Sequence, residues 1–146
     1  MELVTTQVLS SECYQSFRFE PFQFNGTEDY PFYIWFFYLL SQEPGVKLIS
    51  LSLISSVKEE NQKEYPLEHE IENDALKKSF SELYLLGITF SAIHLLSWKL
   101  DIQYQGNEYS FRGFADSLVV TVFYKEKTDK VPQEFMQRID EKLQNL

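Results

Sequence analysis

A single cysteine, Cys13, stands in 146 residues, so no disulfide can form within the chain and a reducing compartment suits it. A buried, inert thiol is the expected role for it. Glycine and proline are scarce at five each. No linker, internal repeat or low-complexity tract breaks the sequence, and a single domain spanning 1–146 is expected, with the Lys58 to Tyr65 loop as the one place for a hinge. The longest unbroken apolar run, Phe32 to Leu40, falls well short of the roughly twenty residues a membrane-crossing helix needs. Residues Met1 to Thr6 lack the positive and apolar segments of a secretory signal, which points to the cytoplasm. Asn25-Gly26-Thr27 is therefore read as a turn and not as a glycosylation acceptor.

Positive charge is also in short supply. Thirteen Lys and Arg face 22 Asp and Glu, a formal net charge of -9, and direct nucleic-acid binding, which draws most of its affinity from phosphate contacts, is disfavoured. The sequence has no GxGxxG, GxxxxGK[ST] or GxSxG pattern, so dinucleotide, phosphate-loop and α/β-hydrolase chemistry lack their signatures. Neither histidine supplies a site. His69, between Glu68 and Glu70, reads as a solvated surface group, and His94, among Ile93, Leu95 and Leu96, as a hydrogen-bonded structural one. Their spacing fits no zinc pattern, and the acidic residues lack the central glycine of an EF-hand loop. No catalytic residue, metal or cofactor is assigned.

Two features are abundant. Aromatic residues form 16% of the chain, and half of them lie between Tyr14 and Tyr38, a heavy apolar load for the early chain to bury. Phe17, Phe19, Phe22 and Phe24 alternate with polar residues around Glu20-Pro21, which predicts a half-buried strand bent at Pro21, preceded by a strand from Leu3 to Leu9. For Tyr30 to Leu40 the aromatic composition favours a strand buried on both faces, although Asp29 and Pro31 fit a helix start. Pro44-Gly45 marks a turn, and Ile49, Leu51 and Leu53 alternate with serines, so a β-hairpin is predicted there.

Pro66 fits a first helical position, and Leu67, Ile71, Ala75, Leu76, Phe80 and Leu83 keep a helical period up to Gly87. Strands follow: Trp98 to Tyr104, a type II′ turn at Gly106-Asn107, Tyr109 and Phe111, and Ser117 to Tyr124 as a central strand. From Pro132 a last helix sets Val131, Phe135, Ile139 and Leu143 on one stripe. The sum is an α+β domain: a largely antiparallel sheet of about six or seven strands, a central helix, and a C-terminal amphipathic helix covering one face.

The second abundant feature is acidic. Glu59, Glu60, Glu64, Glu68, Glu70, Glu72 and Asp74 crowd sixteen residues against one base, Lys63. Like charges so close repel, and a fold does not require them together, so the cluster is the candidate contact surface for a basic partner protein. The helix macrodipole explains only those at the start of the expected helix. The expected class is a non-catalytic binding module of the immunity-protein, antitoxin or inhibitor type. A second reading is a chaperone or adaptor, which would show Tyr30, Tyr33, Trp35 and Tyr38 as one exposed patch. A third is a small-molecule carrier or enzyme with a pocket near Arg112, Asp116, Phe111 and Phe114.

Overall fold

The computed structural model describes residues 1–8, 12–20, 32–58, 64–72, 95–126 and 133–145, with 55–58 and 64–72 described through their backbone. Strands β1 (Glu2–Val8), β2 (Cys13–Arg18), β3 (Val46–Lys58), β4 (Glu64–Glu72), β5 (Leu95–Tyr104), β6 (Asn107–Phe114) and β7 (Val119–Tyr124) form one sheet with two helices, α1 (Phe32–Gln42) and α2 (Gln133–Gln144). The strand order is β1-β2-β7-β6-β5-β3-β4, and every pair is antiparallel. This is the α+β architecture the sequence patterning predicts.

One face of the sheet is apolar. On β5, Trp98, Leu100, Ile102 and Tyr104 are buried while the residues between them are half-buried, the period of two that pleating imposes. The register aligns these side chains across strands: Gln15, Val122, Phe111, Leu100 and Leu51 form one such row. Both helices cover this face. Phe36 and Phe37 of α1 lie 5.7 and 5.1 Å from the Trp98 ring, and Phe135 of α2 lies 4.7 Å from the Tyr104 ring.

Residues 32–42 are helix, not the expected strand. The chain must pass from β2 across β7, β6 and β5 to reach β3, and every lane of the sheet there is already occupied. A helix satisfies its own backbone groups, so it can lie across the sheet and bury side chains all round. Eight of its eleven residues are buried, and only Ile34 among them is β-branched. The Pro44-Gly45 turn therefore links a helix to a strand in place of closing a hairpin, with Gly45 at φ +82° in the left-handed region.

Other expectations meet the described residues as follows. Phe17 and Phe19 are core at 1% exposure and Cys13 is buried as well, while Pro21, Phe22, Phe24 and Ile88 to His94 lie outside the described residues. The β5–β6 turn is Gln105-Gly106, with φ of +52° and +81°, a type I′ geometry one residue earlier than the expected type II′ turn. Phe135, Met136, Ile139 and Leu143 of α2 are buried as its stripe requires. Of the Lys58 to Tyr65 loop, residues 59–63 lie outside the described residues, and the strands on either side of it pair with each other in one sheet.

At Gly113 the sheet has no room for a side chain. A Cβ there would stand 2.6 Å from Cζ2 of Trp98, its cross-strand neighbour, and the indole is held from behind by Phe36 and Phe37. Gly113→Ala is expected to lower the unfolding free energy by about 1–3 kcal/mol, the usual cost of overpacking. A urea titration reads this as a lower midpoint at unchanged slope, and a midpoint equal to wild type would show that the indole gives way freely.

Candidate functional site

The opposite face of the sheet carries no described helix, and its residues also fall into rows. One crosses all seven strands as Thr5, Ser16, Thr121, Arg112, Lys99, Ser52 and Glu70. The next runs Gln7, Tyr14, Phe123, Ser110, Asp101, Ser50 and Glu72. A shorter third links Phe114, Ser97, Ile54 and Glu68. Among the described residues this is the polar side of the sheet, the helices packing on the other face.

Local bonds order this face. Ser16 and Thr121 share a hydroxyl bond of 2.8 Å, and the Ser50 hydroxyl donates to Asp101 Oδ2 at 3.1 Å. The Arg112 guanidinium lies 4.0 Å over the Phe123 ring, and its Nε donates to Ser110 Oγ at 3.2 Å. Lys99 and Arg112, direct cross-strand neighbours, each have one carboxylate at 4.0 Å, Asp101 and Glu12 respectively. Around them lies a concavity of about 680 Å³, walled by Ile54, Phe114, Val119 and Phe123 with Ser52 and Thr121 at its floor. Phe114 is 67% exposed, the most open of the large apolar side chains described.

The acidic residues take a different place from the one their sequence suggests. Residues 64–72 form β4, at the edge of the sheet among the described strands, not the first turns of a helix. Two periods compete in Leu67 to Glu72: Leu67 and Ile71 are four apart, as on a helix, but Leu67, His69 and Ile71 also alternate with Glu68, Glu70 and Glu72, as on a strand. Pro66 suits both, since an edge strand tolerates a missing backbone donor. With the helix gone from 64–72, its macrodipole no longer accounts for these charges.

On β4 the register sets Glu68, Glu70 and Glu72 opposite Ile54, Ser52 and Ser50, residues of the open face. Glu64 pairs with Lys58 at the start of the strand. His69 pairs with Leu53 in the strand register. Glu59, Glu60 and Asp74 lie outside the described residues, as does the continuation of the expected helix to Gly87.

The two other site expectations divide. Tyr33 and Trp35 are buried and Tyr38 is half-buried, with Tyr30 outside the described residues, so the exposed aromatic patch expected of a chaperone is not formed by the described members. Arg112 and Phe114 do border a concavity, but Phe111 faces the core at 0% exposure and Asp116 sits in the turn after β6. Sequence reasoning passed over Ser52, Ile54, Lys99 and Thr121, because the polar half of an alternating strand looks like ordinary solvated surface until the register shows which of them meet.

The charges on α2 are engaged elsewhere. Arg138 Nε and Lys142 Nζ donate to the two oxygens of Glu43 at 3.3 and 2.7 Å, and the Glu43 side chain is only 1% exposed. Arg138 also donates to the Tyr104 hydroxyl at 3.3 Å, and that bond, with Glu43 beside it, holds the guanidinium above its ordinary pKa. This cluster ties the end of α1 to α2. Among the described residues no three His, Cys, Asp or Glu side chains gather as a metal ion would require, and no helix is long and apolar enough to cross a membrane. Comparison with known protein families, with characterised proteins and with solved structures finds no match for this chain.

Proposed function

We propose that the protein is a non-catalytic binding module that holds a basic partner protein along the β4 edge of its sheet. The observation that carries this reading is the alternate placement of Glu68, Glu70 and Glu72 on an edge strand, in register with the open face. An edge strand offers unpaired backbone groups to an incoming chain, and a row of carboxylates favours one that brings lysine or arginine. Focused negative charge also speeds encounter with a basic surface. An acidic edge has a second effect, keeping the sheets of two copies apart, and that effect needs no partner.

Replacing Glu64, Glu68, Glu70 and Glu72 together with Gln separates the two effects. Wild type and the Gln variant are each used to capture proteins from native extract, with washes at about 50 and about 500 mM salt, a range over which the screening length falls severalfold. A basic protein retained by wild type, lost at high salt and weakened about tenfold or more by the variant is the expected result. Retention of the same proteins by both chains would leave the acidic edge without a binding role. The variant is expected to fold with a Tm within a few degrees of wild type, since exposed edge charges contribute little to stability.

A further inference from the structure

We propose that the concavity on the open face of the sheet binds a small amphipathic carboxylate, its head group on Lys99 and Arg112 and its apolar tail along Ile54, Phe114 and Val119. This site adjoins the acidic edge, since Ile54 and Ser52 on its border pair with Glu68 and Glu70, but it is built from other side chains and goes beyond the partner reading.

The first argument is the cation pair. Lys99 and Arg112 are directly opposed across β5 and β6, and like charges in that position cost stability. In a chain with a net charge of -9, cations have many carboxylates to pair with, yet among the described residues these two meet theirs at 4.0 Å with side chains 45% and 42% exposed. Exposed pairs at that distance contribute little. An anion set between the two cations would remove their repulsion and accept from both. Arg112 is already aimed, its plane stacked on Phe123 and its Nε fixed by Ser110, with Glu12 4.0 Å from one terminal nitrogen, a contact that a ligand carboxylate at hydrogen-bond distance would replace.

The second argument is the wall. Ile54 at 38% and Phe114 at 67% exposure are apolar groups left open beside the cations, and both border the same concavity. Its volume, about 680 Å³, lies in the range of small-molecule sites. A charged head beside an apolar trough selects a ligand with both properties, and a bare inorganic anion would leave the trough wet. Serine and threonine hydroxyls at Ser52 and Thr121 offer further donors to the head group. Asp101 and Glu12, each 4.0 Å from one of the two cations, must turn aside for an anion to enter, while charges more than about 8 Å away are largely screened at physiological ionic strength.

Decanoate is the probe, with decanol as its uncharged counterpart, titrated into the full chain by calorimetry. Saturable binding of decanoate and at least about tenfold weaker binding of decanol are expected, given the strength of charge-assisted bonds. K99Q/R112Q should weaken decanoate about tenfold or more while leaving decanol unchanged, and V119W should abolish both by filling the trough. Near-ultraviolet circular dichroism checks that each variant is folded, and K99Q alone serves if the double variant is not. No binding of decanoate up to about 1 mM, equal binding of decanol, or an affinity unmoved by K99Q/R112Q would each overturn the assignment. Gln at 64, 68, 70 and 72 is expected not to weaken decanoate, so failure here and failure of the partner reading are read independently.

Discussion

Phe36→Ala is expected to remove about 3–5 kcal/mol from the unfolding free energy, the largest loss from any single side chain in the fold. The ring is 0% exposed and sits at the centre of an aromatic cluster, with Phe19, Phe32, Trp98 and Phe111 all at 5.4 to 5.7 Å from one another or from it. It is therefore in contact with β5, β6 and Phe19 just after β2, as well as its own helix. Truncation leaves a cavity that three elements border, and none can close it without giving up its own contacts. Set against the 5–15 kcal/mol typical of a domain, that loss would bring the protein close to unfolding at room temperature. Urea denaturation followed by fluorescence measures it. The control is Phe114→Ala, exposed on the other face, expected within about 0.5 kcal/mol of wild type. Similar losses at both positions would mean that the helix-covered face is not the core.

The second large effect concerns Glu43. Removing both of its cations, as in R138M/K142M, leaves a carboxylate of 1% exposure without a charged partner, and an uncompensated buried charge costs about 3–5 kcal/mol. Glu43→Gln should cost much less, about 1–2 kcal/mol, because Arg138 and Lys142 are 46% and 44% exposed and can turn to water. The decisive variant is the triple, E43Q/R138M/K142M, expected to be more stable than the double although it carries one more substitution. Thermal melts of the four chains settle the order. A triple variant that melts at or below the double would show that the cluster contributes through packing of the long side chains and not through charge.

What the sequence conveyed depended on whether two periodicities coincided. Trp98 to Tyr104 alternates without ambiguity, Ser117 to Tyr124 is rich in Val and Thr, and α2 carries one clean apolar stripe, so these elements were legible in the sequence. Residues 32–40 carry no period at all, since every position is apolar, and only the need to cross three occupied lanes of the sheet decides for a helix. That need is a property of the whole topology, which no local window contains. Residues 66–72 failed for the opposite reason, satisfying both periods at once. The acidic cluster was visible as composition, but its arrangement as one row on an edge follows from pairing with β3. Arg112 and Phe114 were visible as a polar group beside an aromatic one. Their partner Lys99 was not, because it lies thirteen residues earlier and reaches them only through the β5–β6 register.

The topology also sets an order of events for a nascent chain. β2, at residues 13–18, pairs with β1 at once but finds its other neighbour in β7, at residues 119–124, so the N-terminal hairpin leaves the ribosome about a hundred residues before the strand it docks on. Until residues 95–114 emerge, α1, apolar on all sides, has no β5 or β6 to cover it. Newly made chains should therefore be sticky until β7 has emerged, and their yield should depend on holdase supply far more than the finished fold does.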